Sequence, residues 1–549
     1  MAVSFLRTAS IAVPALLLAM SVSAADNDRA AGPSIRTVGT KVQITKAIKV
    51  GSLNSLRDAV IRQADFSKGQ RLHEIDRLPR PVHRGLSVNA VSGERIVQDK
   101  AAVSTLGVTA GTSVLGVGNG FVGPAGTFNV NSAPPDTSGA IGATQFMQIV
   151  NTAIGVFDKT TKAPVFGAVP TNSLWQGFGG VCEDDNDGDG TVVYDKAAGR
   201  WVVTQFAVES TFAQCVAVSK TSDATGGYWL YEFDTPGSDF PDYPKMGVWP
   251  DGYYETFNMF GSGSVFDGAL VCAYDRAKML TGAPATQQCF QMAPEFGGVL
   301  PSDLDGHTAP PAGTPNYLVN FGDNSLNLWK FHVDWAHPEN STLGDPTVVT
   351  VADFIGACEF GGSCIKEKSA PLNKLDSLGD RMMYRLAYRN FGDHESLVAT
   401  HSVDVPGTAR TFRTGVRWYE LRSPGTMPVV YQQSTYSPDA TYRWMPSIAM
   451  DKQGNVAVGY TASGASSDPS VRYAARLASD PLNTLQAEKT MVAGGGAQRI
   501  GLRRWGDYSS MTVDPTDDCT FWYTQEYMTG SGTFNWSTRI GSFKFPTCH

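Results

Sequence analysis

The chain has 549 residues, a formal net charge of −8 and 17% charged residues. It carries no basic stripe to replace phosphate counterions, which excludes nucleic acid as a partner, and its acidity is too mild for a disordered polyelectrolyte. Fifty-seven glycines, 31 prolines and 10% aromatics fit an all-β chain rich in turns.

Residues 1–24 read as a signal peptide: Arg7 is the positive n-region, Ile11 to Val22 is mostly apolar, and Val22-Ser23-Ala24 precedes a cleavage site at Ala25. That run is shorter than the roughly 20 residues of a membrane span, and no later stretch is long and apolar enough to replace it. The expectation is a secreted or periplasmic monomer without a membrane span. Residues 25–120 form an irregular N-terminal extension or linker. Within it, Ser55 to Phe66 has apolar residues at helical spacing, and 103–122 is rich in Gly, Ser and Val.

From 121 to 549 one script recurs: a polar or aromatic cluster, a short apolar strand, an Asp turn and a second apolar strand. It is clear in Asp187-Gly-Asp-Gly-Thr-Val-Val-Tyr-Asp, Tyr243-Pro-Lys-Met-Gly-Val-Trp-Pro-Asp, Tyr442-Arg-Trp-Met-Pro-Ser-Ile-Ala-Met-Asp and Trp505-Gly-Asp-Tyr-Ser-Ser-Met-Thr-Val-Asp. Pro135-Asp-Thr-Ser-Gly-Ala-Ile is a looser copy, and Gly379-Asp-Arg-Met-Met-Tyr supplies another. The gap between 243 and 380 is about twice the other intervals and predicts one more unit, from Pro301-Ser-Asp-Leu-Asp-Gly-His onward. Seven units of about 60 residues, four short strands each, close radially around an axis. The predicted fold is a seven-bladed β-propeller. A double-sheet solenoid or a sandwich pair explains the period less well.

The eight cysteines are even in number, and export favours disulfides. Pairing between sequence neighbours is expected: Cys182 with Cys215, Cys272 with Cys289, Cys358 with Cys364, and Cys519 with Cys548. Metal ligation is the rival, without a CxxC or a close Cys/His set to support it.

The strings Asn186-Asp-Gly-Asp, Tyr243-Pro-Lys-Met-Gly-Val-Trp-Pro-Asp-Gly-Tyr-Tyr, Tyr388-Arg-Asn-Phe-Gly-Asp-His-Glu, Tyr442-Arg-Trp-Met and Arg504-Trp-Gly-Asp-Tyr-Ser-Ser-Met resemble a family of uncharacterised exported bacterial β-propeller proteins over about 130–549. The resemblance implies the fold and brings no activity. More distantly the architecture is similar to sialidase-like propellers, whose Ser-x-Asp-x-Gly-x-Thr-Trp turn is absent here.

In a propeller the residues just before the innermost strands ring one mouth of the channel, a natural ligand site. The aligned clusters nominate Asp136, Asp187, Asp507, Tyr442 and His307 as catalytic candidates, with Asp189, Asp305 and Asp380 in the same ring. Lys245, Arg381, Arg443, Arg504, Trp444 and Trp505 are the substrate-binding candidates. Carboxylates, guanidiniums and aromatic faces suit an extracellular glycan or polysaccharide. A glycoside hydrolase would pair two of the aspartates. A polysaccharide lyase would use Tyr442, His307 or Lys245 as base, with the arginines neutralising a uronate. The alternatives are a non-catalytic glycan- or protein-binding propeller and a metal-supported hydrolase. Against all of them stands the plain structural role of such residues as turn caps and paired charges.

Asp185-Asn-Asp187-Gly-Asp189-Gly opens like a calcium loop, but its twelfth position is Lys196 rather than a bidentate Glu. No cofactor is required on this reading, and calcium held by Asp185, Asp187 and Asp189 in another geometry stays open. His394-Glu395 lacks the second His of a His-Glu-x-x-His motif, since position 398 is Val398. It reads as part of a blade turn, and His401 as a packing residue. Trp201, Trp249 and Trp522 are expected to fill the gaps between blades.

Overall fold

A computed structural model describes residues 41–59, 73–74, 96–103, 105–209, 211–262, 264–405, 412–499 and 501–549. The expected export segment, and the expected helical stretch beyond residue 59, lie outside the described residues. Each apolar strand after a polar cluster becomes the innermost strand of one blade. These are Ser138–Ile141, Thr191–Asp195, Phe240–Val248, Leu300–Asp305, Met383–Asn390, Tyr442–Met450 and Ser510–Val513. Each touches the next, and the seventh touches the first, so seven blades close a ring. The unit expected after Pro301 is present as the fourth blade. Its inner strand pairs directly and in parallel with that of the fifth, from Ser302 opposite Leu386 to Asp305 opposite Arg389.

Strand sequences show why the blades stack. Successive side chains point to opposite faces, and here both faces are covered. Val192 and Tyr194 enter the core between blades one and two, while Val193 enters the core between blades two and three. Near-continuous apolar runs are the result. Trp201, Trp249 and Trp522 sit in three of these interblade cores, as expected. The Asp turns of the repeat are the first hairpins. Asp195 accepts from Ala198 N at 3.0 Å and Asp451 from Gln453 N at 2.9 Å.

Both ends of the chain build the last blade. Thr109–Leu115 pairs with Trp536–Lys544, and Ser510 Oγ donates to Gly139 O at 2.7 Å, which links blade seven to blade one. Residues 25–120 differ from the rest in composition, yet their described strands complete other blades too. Lys49–Leu53 edges blade two, Gln43–Lys46 blade three and Val97–Gln98 blade five. The four disulfides join the expected neighbours, and Cys519–Cys548 ties the final hairpin to the chain end. Among the described residues no helix is long and apolar enough to cross a membrane.

Candidate functional site

The inner strands all begin at one end of the channel, here the upper end, and finish at the lower. In five blades a residue in the left-handed region stands two before a paired stretch of the inner strand: Asp136 at φ 44°, Asp189 at 46° and Gly298 at 58° ahead of the first pair, and Tyr243 at 60° and Met445 at 50° at a bulge after three paired residues. Glycine takes this conformation freely, whereas a tyrosine or methionine there is held against its preference. At this kink the chain arriving from the previous blade turns into the channel wall.

Six nominated side chains meet at the upper end: Asp136, Asp189, Lys245, Arg381, Arg504 and Asp507. Asn151 organises the first two. It donates Nδ2 to Asp136 Oδ2 at 2.7 Å and accepts from Asp189 N at 2.9 Å, while Asp507 N donates to Asp136 Oδ1 at 2.5 Å. Burial raises the Asp189 carboxyl, with the Lys245 charge pulling it down. Burial, then the charges of Asp507 and Asp189, push the Asp136 carboxyl far above its usual range. Arg504 is bonded to Asp507, and Arg381 to Asp380 at 2.9 Å. Burial lowers both guanidiniums, but the neighbouring carboxylates outweigh it and hold them above their usual value.

Lys245 is fully buried. Its Nζ lies 3.6 Å from the ring centroids of both Tyr243 and Tyr508 and donates to Pro244 O at 2.8 Å. Burial brings its ammonium down to about 8, against four surrounding aspartates that raise it. One of those four, Asp242, was not nominated from the sequence. It is the half-buried member of an otherwise buried set. Desolvation of its carboxyl, then the Asp189 charge, lifts it to about 7, with Arg381 and Arg504 pulling the other way. The signal available was position: Asp242 stands one residue before a kink that aligns with Asp136 and Asp189.

Other nominated residues are elsewhere. Asp305 and His307 belong to the lower end, because Leu300–Asp305 starts at the top and Asp305 is its last residue. There Asp305 pairs with Arg385 and Lys196. Trp444 and Trp505 are fully buried and pack with Ile365, Leu375 and Met383 in an apolar cluster, so neither offers a face to a sugar. Tyr442 joins that cluster, and its hydroxyl is raised by burial, then by Asp404. Arg443 turns away from the channel to Glu488 and Asp439, both at 2.9 Å.

Asp187 accepts from Val208 N at 2.7 Å, and burial lifts its carboxyl to about 6. It neighbours Asp185 and Glu209, whereas Asp189 belongs to the channel set. The trio left open for calcium is therefore divided. Among the described residues no group of three or more His, Cys, Asp or Glu is arranged to hold a metal ion. His394 Nδ1 meets Asp393 at 2.7 Å and stacks on Phe391 in the expected blade turn. His401 is buried between Phe321 and Phe354 and bonds Tyr419 at 2.9 Å, the expected packing role.

No family model and no curated protein sequence matches the chain. Solved structures align with it at low scores. An α-L-arabinofuranosidase from Fusarium graminearum is 8% identical with a TM-score of 0.36, over 80% of this chain and 99% of that one. The N-terminal domain of Nup159 is 8% identical at 0.35, over 82% and 100%. A GH43 endo-arabinanase from Bacillus licheniformis is 11% identical at 0.25, over 55% and 92%. These identities are below 25% and the scores below 0.5, and the functional reading rests on the site alone.

Proposed function

We propose that the chain is a carbohydrate-active enzyme that cleaves a polysaccharide at the upper mouth of its channel, with Asp242 as the proton-transfer group. The observation that carries this is Asp242 itself. A half-buried carboxyl poised near 7 carries either protonation state at neutral pH, as general acid–base catalysis requires. Ionised, Asp242 accepts a proton from the substrate; protonated, it returns one to the departing oxygen.

Between the two chemistries, the surroundings favour a lyase acting on uronates. The paired aspartates of a glycosidase stand about 5–5.5 Å or about 6.5–9.5 Å apart to flank the scissile bond. Asp136 and Asp189 are both buried and both held by Asn151, so neither is set to flank a scissile bond. Arg381 and Arg504 bring positive charge beside Asp242, which suits neutralisation of a uronate carboxylate as the neighbouring C–H loses its proton.

A second reading, a non-catalytic glycan- or protein-binding propeller, is favoured by one observation: Lys245, Arg381 and Arg504 are buried and engaged with neighbouring groups. On that reading the network is a structural plug and the mouth only binds. Incubation of the purified chain with acidic and neutral polysaccharides separates the possibilities. Unsaturated-uronate absorbance supports the lyase and reducing ends without it a hydrolase. Binding without turnover supports the second reading.

A further inference from the structure

The lower face of the propeller carries a recess of about 160 Å3 between blades two, three and four. It lies at the opposite end of the inner strands from Asp242. Its apolar wall includes Val248, Pro250 and Leu304, and its polar side chains include Lys196, Arg276 and His307. A concave, mostly apolar site with a few convergent polar groups is the form of a small-molecule site.

Hydrogen-bond accounting sets the kind of ligand. Two carboxylates neighbour the cations, and both oxygens of each are already engaged. Asp195 takes Ala198 N and Arg276 Nη2 on one oxygen, each at 3.0 Å, and on the other Tyr253 Oη at 3.0 Å and Arg276 Nε at 2.6 Å. Asp305 takes Lys196 and Arg385 on one oxygen and Arg385 again on the other. The donors are in surplus. A guanidinium has five N–H groups and an ammonium three; Arg276 directs three of its own to Asp195 and Pro250 O, and Lys196 one to Asp305. The recess thus presents cationic donors beside an apolar wall, with its nearest acceptors already occupied.

We propose that this recess binds a small organic monocarboxylate, its apolar body against Val248, Pro250 and Leu304 and its carboxylate on Lys196 and Arg276. Charge-assisted bonds of this kind are the strong ones, and Lys196 also lines the channel, next to the Asp305–Arg385 pairs. The site is separate from the cleavage site and does not depend on it.

Calorimetric titration of the full chain with benzoate, and with benzamide as its neutral isostere, tests the proposal. Benzoate is expected to bind at one site, with benzamide at least about tenfold weaker. Lys196→Gln should weaken benzoate by about tenfold or more, and Arg276→Gln, which removes the other carboxylate partner, serves as a second variant should the first fail to fold. Absence of benzoate binding at about 10 mM, equal affinity for the two probes, or binding unmoved by whichever variant folds would overturn it.

Discussion

Arg385 shows how much a single buried side chain holds here. It bonds Asp303 at 2.8 Å and Asp305 at 2.9 Å, and it is almost entirely shielded from water. Removing one partner of a buried ion pair leaves charges without compensation and costs about 3–5 kcal/mol. Arg385→Met should therefore destabilise the chain by about that much in urea unfolding. Loss of the exposed Arg57–Asp223 pair should cost under about 1 kcal/mol. The sequence exposed this scale only in part. Asp136, Asp189, Lys245, Arg381, Arg504 and Asp507 were legible because each stands in the aligned cluster that leads into the apolar run of an inner strand. Trp444 and Trp505 occupy the same kind of segment but point into an apolar core, and no spacing reveals which way a side chain turns at a kink. Asp242 was hidden beside Tyr243 and Lys245, since its significance comes from confinement near Asp189 rather than from a motif.

Hairpins and kinks were the legible elements. The Asp turns at 195, 451 and 514 follow from local side-chain to backbone bonding and need no tertiary information. The outer strands at 43–46 and 49–53 were not legible, and the one at 109–115 was legible only as an alternative to a linker. They are short, and their partners lie from 175 (Leu53 to Tyr228) to 435 (Thr109 to Lys544) residues away in sequence. Two element-scale predictions follow from close contacts. A Cβ on Gly459 would lie 2.5 Å from the Tyr523 ring across the interface of blades six and seven. Gly459→Val should accordingly cost about 1–3 kcal/mol, read as a lowered thermal midpoint. Cys519–Cys548 closes a separation of 29 residues, so Cys548→Ser should cost about 3–4 kcal/mol on the chain-entropy account. A loss under about 1 kcal/mol for either variant would argue that the last blade is not closed as described.

At the scale of the whole molecule, the interior holds carboxyls that resist ionisation. Burial lifts Glu255 and Glu367 to about 7, and desolvation does the same to Asp242. Their folded pKa values lie above the unfolded ones, so the folded state holds more protons between roughly pH 4.5 and 7. The associated stability is complete below the unfolded pKa and is lost as pH rises through about 7. Asp305 acts in the opposite sense, since its cationic partners outweigh burial and depress its carboxyl, but that effect is felt only below the usual carboxylate range. The thermal midpoint should therefore fall between pH 5 and pH 8, and Glu255→Gln should flatten the fall; a midpoint rising over that interval would contradict it. The seven-unit period made the ring readable, because each blade needs neighbours on both faces. The depth of the charged set was not readable, because burial is a property of the closed ring.

The most direct measurement is the pH–rate profile of polysaccharide cleavage for the wild-type chain and for Asp242→Asn. The account predicts a wild-type rate that rises through about pH 7 as Asp242 ionises, and a variant that stays folded while losing at least about a hundredfold in rate together with that limb. A variant that cleaves at the wild-type rate with the same limb would contradict it.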